Sequence, residues 1–118
     1  MPPAPSNSGR GPAAEALAER YLVDRGLVIV ARNWRSRRGE IDVIARDGTT
    51  LVFVEVRLRT RSDYGGAAGS ITAAKRARLT AAAEHYLAGC RGSPACRFDA
   101  ILLDALDMGR IEWLRDII

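Results

Sequence analysis

Two strand-like segments joined by a turn constrain this chain most strongly, because both carry acidic side chains among residues that otherwise suit a core. The first reads Gly-Glu-Ile-Asp-Val-Ile-Ala over residues 39–45, and the second reads Val-Phe-Val-Glu-Val-Arg over residues 52–57. Alternating and β-branched residues of this kind predict strands, and Asp-Gly at residues 47–48 is typical of a tight turn. We therefore expect a hairpin with acids on both strands.

The register of this hairpin determines which acids face each other. A four-residue loop over residues 47–50 puts Asp42 opposite Glu55, whereas a two-residue loop over residues 47–48 pairs Glu55 with Glu40 and leaves Asp42 on the same face. Directly opposed Cβ atoms lie roughly 4.5 to 5.5 Å apart. Two carboxylates at that separation repel each other unless one is protonated or a cation joins them.

A hard divalent cation suits this position. Mg²⁺ takes oxygen ligands at about 2.0 to 2.1 Å and commonly uses one or two carboxylates with water and phosphate oxygens. The alternative is that Glu40, Asp42 and Glu55 form cross-strand ion pairs with Arg57 and Arg59 on a solvated face. The apolar neighbours of Glu55 favour the metal, since an unpaired charge among them is costly.

At these residues the chain resembles a known family. An Asp on one strand followed by Glu-x-Lys on the next is typical of PD-(D/E)XK nucleases, and here Asp42 precedes Glu55-Val56-Arg57. Residues 39–45 and 52–57 are similar to the YraN family of small bacterial endonuclease-like proteins, which are themselves similar to archaeal Holliday-junction resolvases. The likeness runs from about Gly11 to the C-terminus and includes Ala14-Glu15, Arg32-Asn33-Trp34-Arg35, Tyr64-Gly65, Lys75, Tyr86-Leu87 and Arg97-Phe98-Asp99.

The resemblance implies a restriction-endonuclease-like fold and a site for Mg²⁺ or Mn²⁺. Asp42 and Glu55 would hold the ion with the Val56 carbonyl, and Glu40 and Glu15 would be outer or occasional ligands. The alternative for Glu15 is a favourable charge near a helix N-terminus. The resemblance also implies that the substrate is DNA, branched or otherwise not B-form.

The chain departs from the family motif at Arg57, where the motif has lysine. A lysine is a compact charge that can sit beside the attacking water, whereas a guanidinium is wider and stays protonated. Arg57 can still stabilise charge on phosphate, or another lysine can replace it. Lys75 is the one lysine of the chain, and its helical spacing aligns it with an inward-facing stripe. The alternative for Lys75 is a surface lysine with a buried stem.

Basic residues surround the acids in sequence. The net charge is +4 and the sequence pI is about 9.7. Clusters of basic residues are typical of a phosphate-binding surface. The alternative is that a coding bias towards arginine, and not binding to nucleic acid, accounts for the number of basic residues. We predict nucleic-acid contacts for Arg35, Arg37, Arg38, Arg59, Arg61 and Arg76.

The remaining pattern predicts one α/β domain over residues 12–118 after a disordered tail over residues 1–11. The predicted order is α-β-β-β-α-β-β, with one mixed sheet and helices packed on it. The elements after the tail are a helix over 12–25, a strand over 27–33, the hairpin, a Gly-rich loop over 62–70, a helix over 71–87, and strands over 98–103 and 111–114.

Several classes of protein and site are disfavoured. No apolar run is long enough to span a bilayer, and no secretory signal is visible, so we expect a cytoplasmic protein that binds no membrane. Cys90 and Cys96 are expected to be free thiols, because zinc would need two more ligands and His85 is the one histidine. We expect Trp34 and Trp113 to pack rather than stack on bases. The sequence is compatible with a homodimer and with a monomer.

These features together predict a metal-dependent nuclease-like domain that binds DNA and hydrolyses phosphodiesters if Arg57 or Lys75 can serve. The competing interpretation is a DNA-binding accessory module of the same fold that has lost catalysis. Metal-stimulated cleavage separates the two. A third interpretation makes the acids plain ion-pair partners and predicts no binding of Mg²⁺.

Overall fold

The computed structural model describes residues 11–58, 72–103 and 110–118. The elements follow in the predicted order α-β-β-β-α-β-β. They are α1 (Gly11–Asp24), β1 (Val28–Ser36), β2 (Gly39–Asp47), β3 (Thr50–Leu58), α2 (Ala73–Ala88), β4 (Cys96–Leu103) and β5 (Ile111–Leu114). Residues 1–10 of the predicted tail, the predicted loop over 62–70, and Arg59 and Arg61 lie outside the described residues.

The five strands form one sheet in the order β1-β2-β3-β4-β5. Strands β3 and β4 are parallel, and the other three neighbouring pairs are antiparallel. A parallel pair needs a long crossover connection, which helix α2 supplies in sequence between β3 and β4. The predicted fold class is therefore confirmed: an α/β domain with a mixed sheet flanked by two helices, consistent with a restriction-endonuclease-like fold.

The core lies on both faces of the sheet. One face packs against α1 and the other against α2, and we call the two sets of side chains the α1-side cluster and the α2-side cluster. The α1-side cluster includes Ala14, Ala18, Leu22, Val43, Ala45, Val52, Val54, Val56, Ile101 and Leu103. The α2-side cluster includes Ile41, Ile44, Phe53, Leu79, Ala82 and Ala83, with Trp34 and Tyr86 packed against it.

Strand β1 is longer than its apolar pattern predicts. It continues to Ser36 rather than ending at Asn33. Arg35 pairs with Glu40 and Ser36 with Gly39, so backbone pairing with β2 extends the strand through a run of polar residues. This extension brings the last residues of β1 alongside Gly39 and Glu40, at the end of the sheet where the acids of β2 begin.

Helix α2 begins with a side-chain cap. The hydroxyl of Thr72 accepts a hydrogen bond from the backbone N–H of Lys75 over 3.2 Å. Such a cap satisfies a backbone donor that has no partner within the helix. The cap places Lys75 in the first turn of α2, which begins two residues later than the predicted start at residue 71.

A buried carboxylate joins β4 to the C-terminal segment. Asp99 is fully buried and accepts hydrogen bonds from Trp113 Nε1 over 2.9 Å, from the Asp116 N–H over 3.0 Å, and from Arg97 Nε. Arg97 also donates to Asp47 over 3.0 Å. Burial lowers the pKa of Arg97, but the hydrogen bonds and charges of Asp47 and Asp99 raise it by more, to a net value above its ordinary one. The network fixes Trp113 as a packing residue, as predicted.

Both cysteines are free thiols, as predicted, with Cys90 half-buried and Cys96 exposed. Within the described ranges, neither helix has the length and the apolar character that crossing a membrane requires.

Candidate active site

The two predicted ligands meet at one end of the β2–β3 hairpin. The ladder ends with Val43 opposite Val54, and the next residue on each strand is Asp42 and Glu55, as the predicted four-residue-loop register requires. At this point the Asp42 side chain supplies an acceptor for the backbone of β3. The Val56 N–H donates a hydrogen bond to Asp42 Oδ2 over 2.9 Å. The carboxylate of one strand is thereby held against the backbone beside the acid of the next.

The two acids differ in exposure. Asp42 is 1% exposed, whereas Glu55 is half-buried and lines an open cleft. A buried carboxylate is stable only when it is hydrogen-bonded or paired with a cation. The arrangement gives one acid fixed by the backbone and one that solvent and a ligand can reach.

The alternating pattern predicts that Ile41, Val43 and Ala45 lie on one face of β2, and this prediction is wrong at Ile41. Val43 and Ala45 lie in the α1-side cluster, but Ile41 packs with Ile44 in the α2-side cluster. Side chains on either side of Asp42 therefore do not keep a two-residue period. The β1 residue in register with Asp42 is Asn33, which has a positive φ of 48°.

A cleft of about 340 Å³ opens between the first turns of α2 and the end of the β1–β2 hairpin. Its walls combine one acid from β2 and one from β3 with cations from α2 and β1. It is lined by Arg35, Ser36, Gly39, Glu40, Glu55, Lys75, Arg78 and Leu79. We call this space the Glu55 cleft.

Of the two residues predicted to supply the catalytic cation, Lys75 lies in the Glu55 cleft. Arg57 is half-buried on β3 two residues after Glu55, and it is not among the residues that line the cleft. Lys75 and Glu55 therefore line one cleft, and the role of either cation in catalysis stays a prediction.

Glu15 lies on the face of α1 that packs against the sheet and is 6% exposed. Helix α1 and strand β1 are joined by a short turn and run in opposite directions. An ion pair joins Glu19 of α1 to Arg32 of β1. Arg32 lies opposite Val43 of β2, so Glu19 lies near that level of the sheet. Glu15 is one turn, about 5.4 Å, further along α1 towards the end of the sheet that holds Asp42.

Glu40 has an ion-pair partner on the neighbouring strand. Its Oε2 lies 3.4 Å from Arg35 Nε, and the two residues are directly opposite in the β1–β2 ladder. The ion-pair alternative named Arg57 and Arg59 as partners of the acids, whereas the ion pair here is with Arg35. Its role as an outer metal ligand stays a prediction.

The other predicted DNA contacts lie around the hairpin and α2. Arg37 and Arg38 are exposed at the turn between β1 and β2, and Arg38 lies 3.4 Å from Glu84 of α2. Arg76 is exposed on α2 but is not among the lining residues of the Glu55 cleft. The structure therefore brings Arg35 to the cleft and leaves Arg37, Arg38 and Arg76 on the surrounding surface.

Sequence reasoning did not single out Ser36 and Arg78 as site residues, although both line the cleft. A signal existed for Arg78, because residues three apart share a helix face and Arg78 is three residues after Lys75. Ser36 gave no such signal, since its position depends on the extension of β1.

The donor set bears on whether a metal fits. Across residues 11–58, 72–103 and 110–118, no group of three or more His, Cys, Asp and Glu side chains is arranged to hold a metal ion. Asp42 and Glu55 alone offer two hard oxygen donors. That set fits Mg²⁺, which typically keeps several waters and binds through one or two carboxylates together with phosphate oxygens.

Comparison with known proteins agrees with the resemblance read from the sequence. A family model described as "Uncharacterised protein family UPF0102" matches residues 14–103. The chain belongs to the UPF0102 family. The matched region spans every element from α1 to β4, including both acids of the hairpin and the Glu55 cleft.

Individual members of UPF0102 match nearly the whole chain. A UPF0102 protein of Methylobacillus flagellatus is 58% identical over 106 residues, which cover 90% of this chain and 93% of the relative. A member from Nitrosomonas europaea is 50% identical, with 94% of each chain covered. A member from Ralstonia nicotianae is 56% identical and covers 97% of this chain and 92% of its own length.

Proposed function

We propose that the protein is a metal-dependent nuclease that hydrolyses DNA phosphodiesters. One observation carries the proposal: the Asp42 carboxylate is held by the Val56 N–H at the position where Glu55 faces a cleft with cationic walls. Acids beside an open cleft with positive side chains suit phosphate hydrolysis with a divalent cation better than they suit packing. The likeness to PD-(D/E)XK nucleases supports the same chemistry.

Asp42 and Glu55 would hold the ion, with the Val56 carbonyl as a further oxygen donor and Glu15 at the next shell from α1. A bound Mg²⁺ or Mn²⁺ would supply Lewis-acid charge neutralisation at a phosphoryl oxygen. The hydrogen bond from Val56 keeps the Asp42 carboxylate in one orientation, so the site is organised before a ligand arrives.

The chain's own cations would bind and orient the DNA. Arg35 and Arg78 line the same cleft as Glu55, and Arg37 and Arg38 are exposed at the hairpin turn. Contacts of this kind position the phosphate backbone without selecting sequence. Branched DNA is the substrate we favour, because of the likeness to Holliday-junction resolvases.

The test is a cleavage assay with Mg²⁺ and with Mn²⁺ on duplex, flap, single-stranded and four-way-junction DNA. We expect cleavage that needs the metal and is strongest on a branched substrate. The matched control is Glu55→Gln, which keeps the size of the side chain and removes its charge. Cleavage that persists in this variant, or in the presence of a chelator, would show that a contaminating nuclease is responsible.

A DNA-binding module without catalysis is the second candidate. Arg57 in place of the motif lysine and the lack of a three-residue metal cluster among the described residues favour it. This candidate predicts that the wild-type protein binds branched DNA and leaves it intact with either metal.

A further inference from the structure

The Glu55 cleft brings the chain's one lysine to the candidate active site. Lys75 lies on α2 and Glu55 on β3, yet both line the same space. Arg78, one turn further along α2, lines it too. The face of α2 that meets the cleft thus presents two cations to the side on which Glu55 is reached.

The position of these cations in α2 is unfavourable for the helix itself. The N-terminus of a helix carries a partial positive charge, which favours acidic side chains and disfavours basic ones. The first turn of α2 contains no acid, and Lys75, Arg76 and Arg78 all fall within its first two turns. A local arrangement that opposes the helix dipole is expected where the charges serve binding. An anion in the cleft would be attracted by the side chains of Lys75 and Arg78.

We propose that a phosphate of the nucleic-acid backbone binds in the Glu55 cleft and that Lys75 contacts it, in the role that the family motif gives to the residue at position 57. This inference rests on the proposed function, because it names the residue that touches the phosphodiester at the same site. Arg78 holds the same phosphate or its neighbour. Arg57 lies outside the cleft lining and has no part in this contact.

The chemical role of Lys75 is electrostatic. Water attacks phosphorus and loses its proton to solvent, and the bond from phosphorus to the leaving oxygen breaks with its electron pair. The leaving oxygen takes a proton from solvent. Lys75 stays protonated throughout and donates hydrogen bonds to a non-bridging oxygen, where negative charge increases in the transition state.

A labelling experiment tests the contact without requiring cleavage. Since Lys75 is the one lysine, an amine-reactive acylating reagent labels it and the α-amino group, which serves as the internal reference. We expect saturating junction DNA, in Ca²⁺ to prevent turnover, to slow acylation of Lys75 about tenfold and to leave the reference unchanged. An unchanged rate at Lys75 would overturn the inference.

A second arm identifies the source of the phosphate. Inorganic phosphate, supplied at the same concentration of phosphate groups, should protect Lys75 much less than the DNA does. Equal protection by inorganic phosphate would overturn the assignment to a nucleic-acid backbone.

Single-turnover cleavage gives the functional arm. Lys75→Ala should lower the cleavage rate by about 10²- to 10³-fold while changing the Kd for DNA only a few-fold. Lys75→Arg should recover part of the rate, and Arg57→Lys should change it little. Arg91→Ala removes one exposed charge beyond the far end of α2 and should cleave as wild type does.

The outcomes separate this inference from the proposed function. Wild-type cleavage that survives in Lys75→Ala would refute the role of Lys75 and leave the nuclease function standing. Protection of Lys75 by DNA with no wild-type cleavage would refute the nuclease function and leave the phosphate contact standing.

Discussion

Gly39 and Arg78 lie so close together that the hairpin leaves no room for a side chain at residue 39. An ideal Cβ built on Gly39 would stand 2.8 Å from the backbone oxygen of Arg78. Gly39 also has a φ of +151°, where residues with a side chain are strained. This contact presses the end of the β1–β2 hairpin onto α2 and forms the floor of the Glu55 cleft.

The first prediction follows from that contact. Gly39→Ala should lower the free energy of unfolding by about 1 to 3 kcal/mol, because it adds a clash with backbone to a strained φ. Gly89→Ala is the matched control: Gly89 has a φ of −90°, and its nearest neighbour would be at an ordinary 3.6 Å. That variant should be neutral or slightly stabilising. Denaturant midpoints measure both, and equal losses would contradict the close packing at Gly39.

The second prediction separates metal binding from cleavage. Mg²⁺ or Mn²⁺ should raise the melting temperature of the wild-type protein, since a ligand at 100 times its Kd adds about 2.7 kcal/mol of stability. Asp42→Asn should abolish this shift but fold normally, because its amide oxygen can still accept the Val56 N–H. Glu55→Gln should behave in the same way. A metal-induced shift that survives in both variants would place the ion elsewhere.

The third prediction concerns electrostatic binding of DNA. The affinity should fall steeply with salt, since each neutralised phosphate releases counterions. Arg37→Glu should weaken binding to all sequences alike and reduce the slope of log affinity against log salt by about 1 to 2. Arg91→Glu, an equal charge change remote from the hairpin turn in the chain, should have a smaller effect. Fluorescence anisotropy over a salt series measures the slopes, and a salt-independent affinity would indicate a protein partner.

The fourth prediction concerns the buried network at β4. Asp99→Asn should cost about 3 to 5 kcal/mol, because Arg97, Trp113 and the Asp116 N–H lose a charged and fully buried acceptor. Asp47→Asn, which changes the exposed partner of Arg97, should cost at most about 1 kcal/mol. The side chain of Asp47 is 44% exposed and that of Asp99 is fully buried. Calorimetry or urea unfolding distinguishes the two, and similar costs would show that the burial of Asp99 carries no energetic weight.

The hairpin was predictable because it depends on local rules: the Asp-Gly turn and the β-branched run identify two strands. The turn left two registers open, and the pairing of Arg46 with Leu51 selects the one that puts Asp42 beside Glu55. The position of Ile41 in the α2-side cluster was not predictable, since strict alternation puts it with Val43 and Ala45 on the α1 side.

Among the residues around the acids, too, some positions were predictable from the sequence and others were not. Helical spacing placed Lys75 on the inward stripe of α2, but which space that stripe meets depends on how α2 packs against the hairpin. The close approach of Gly39 to Arg78 decides that packing, and no local pattern reveals it. The buried role of Asp99 was likewise missed, because its partners Trp113 and Asp116 lie far along the chain.

Helix α2 has three buried side chains, Leu79, Ala82 and Ala83, and Tyr86 and Leu87 pack beside them half-buried. An element with so few buried apolar contacts opens in local fluctuations at a lower free energy than the central strands do. When α2 opens, Asp42 and Glu55 keep their places, because both belong to the hairpin, whereas Lys75 and Arg78 leave with the helix. Amide hydrogen exchange should then be faster in α2 than in β3, and a polyanion that spans the cleft should slow it.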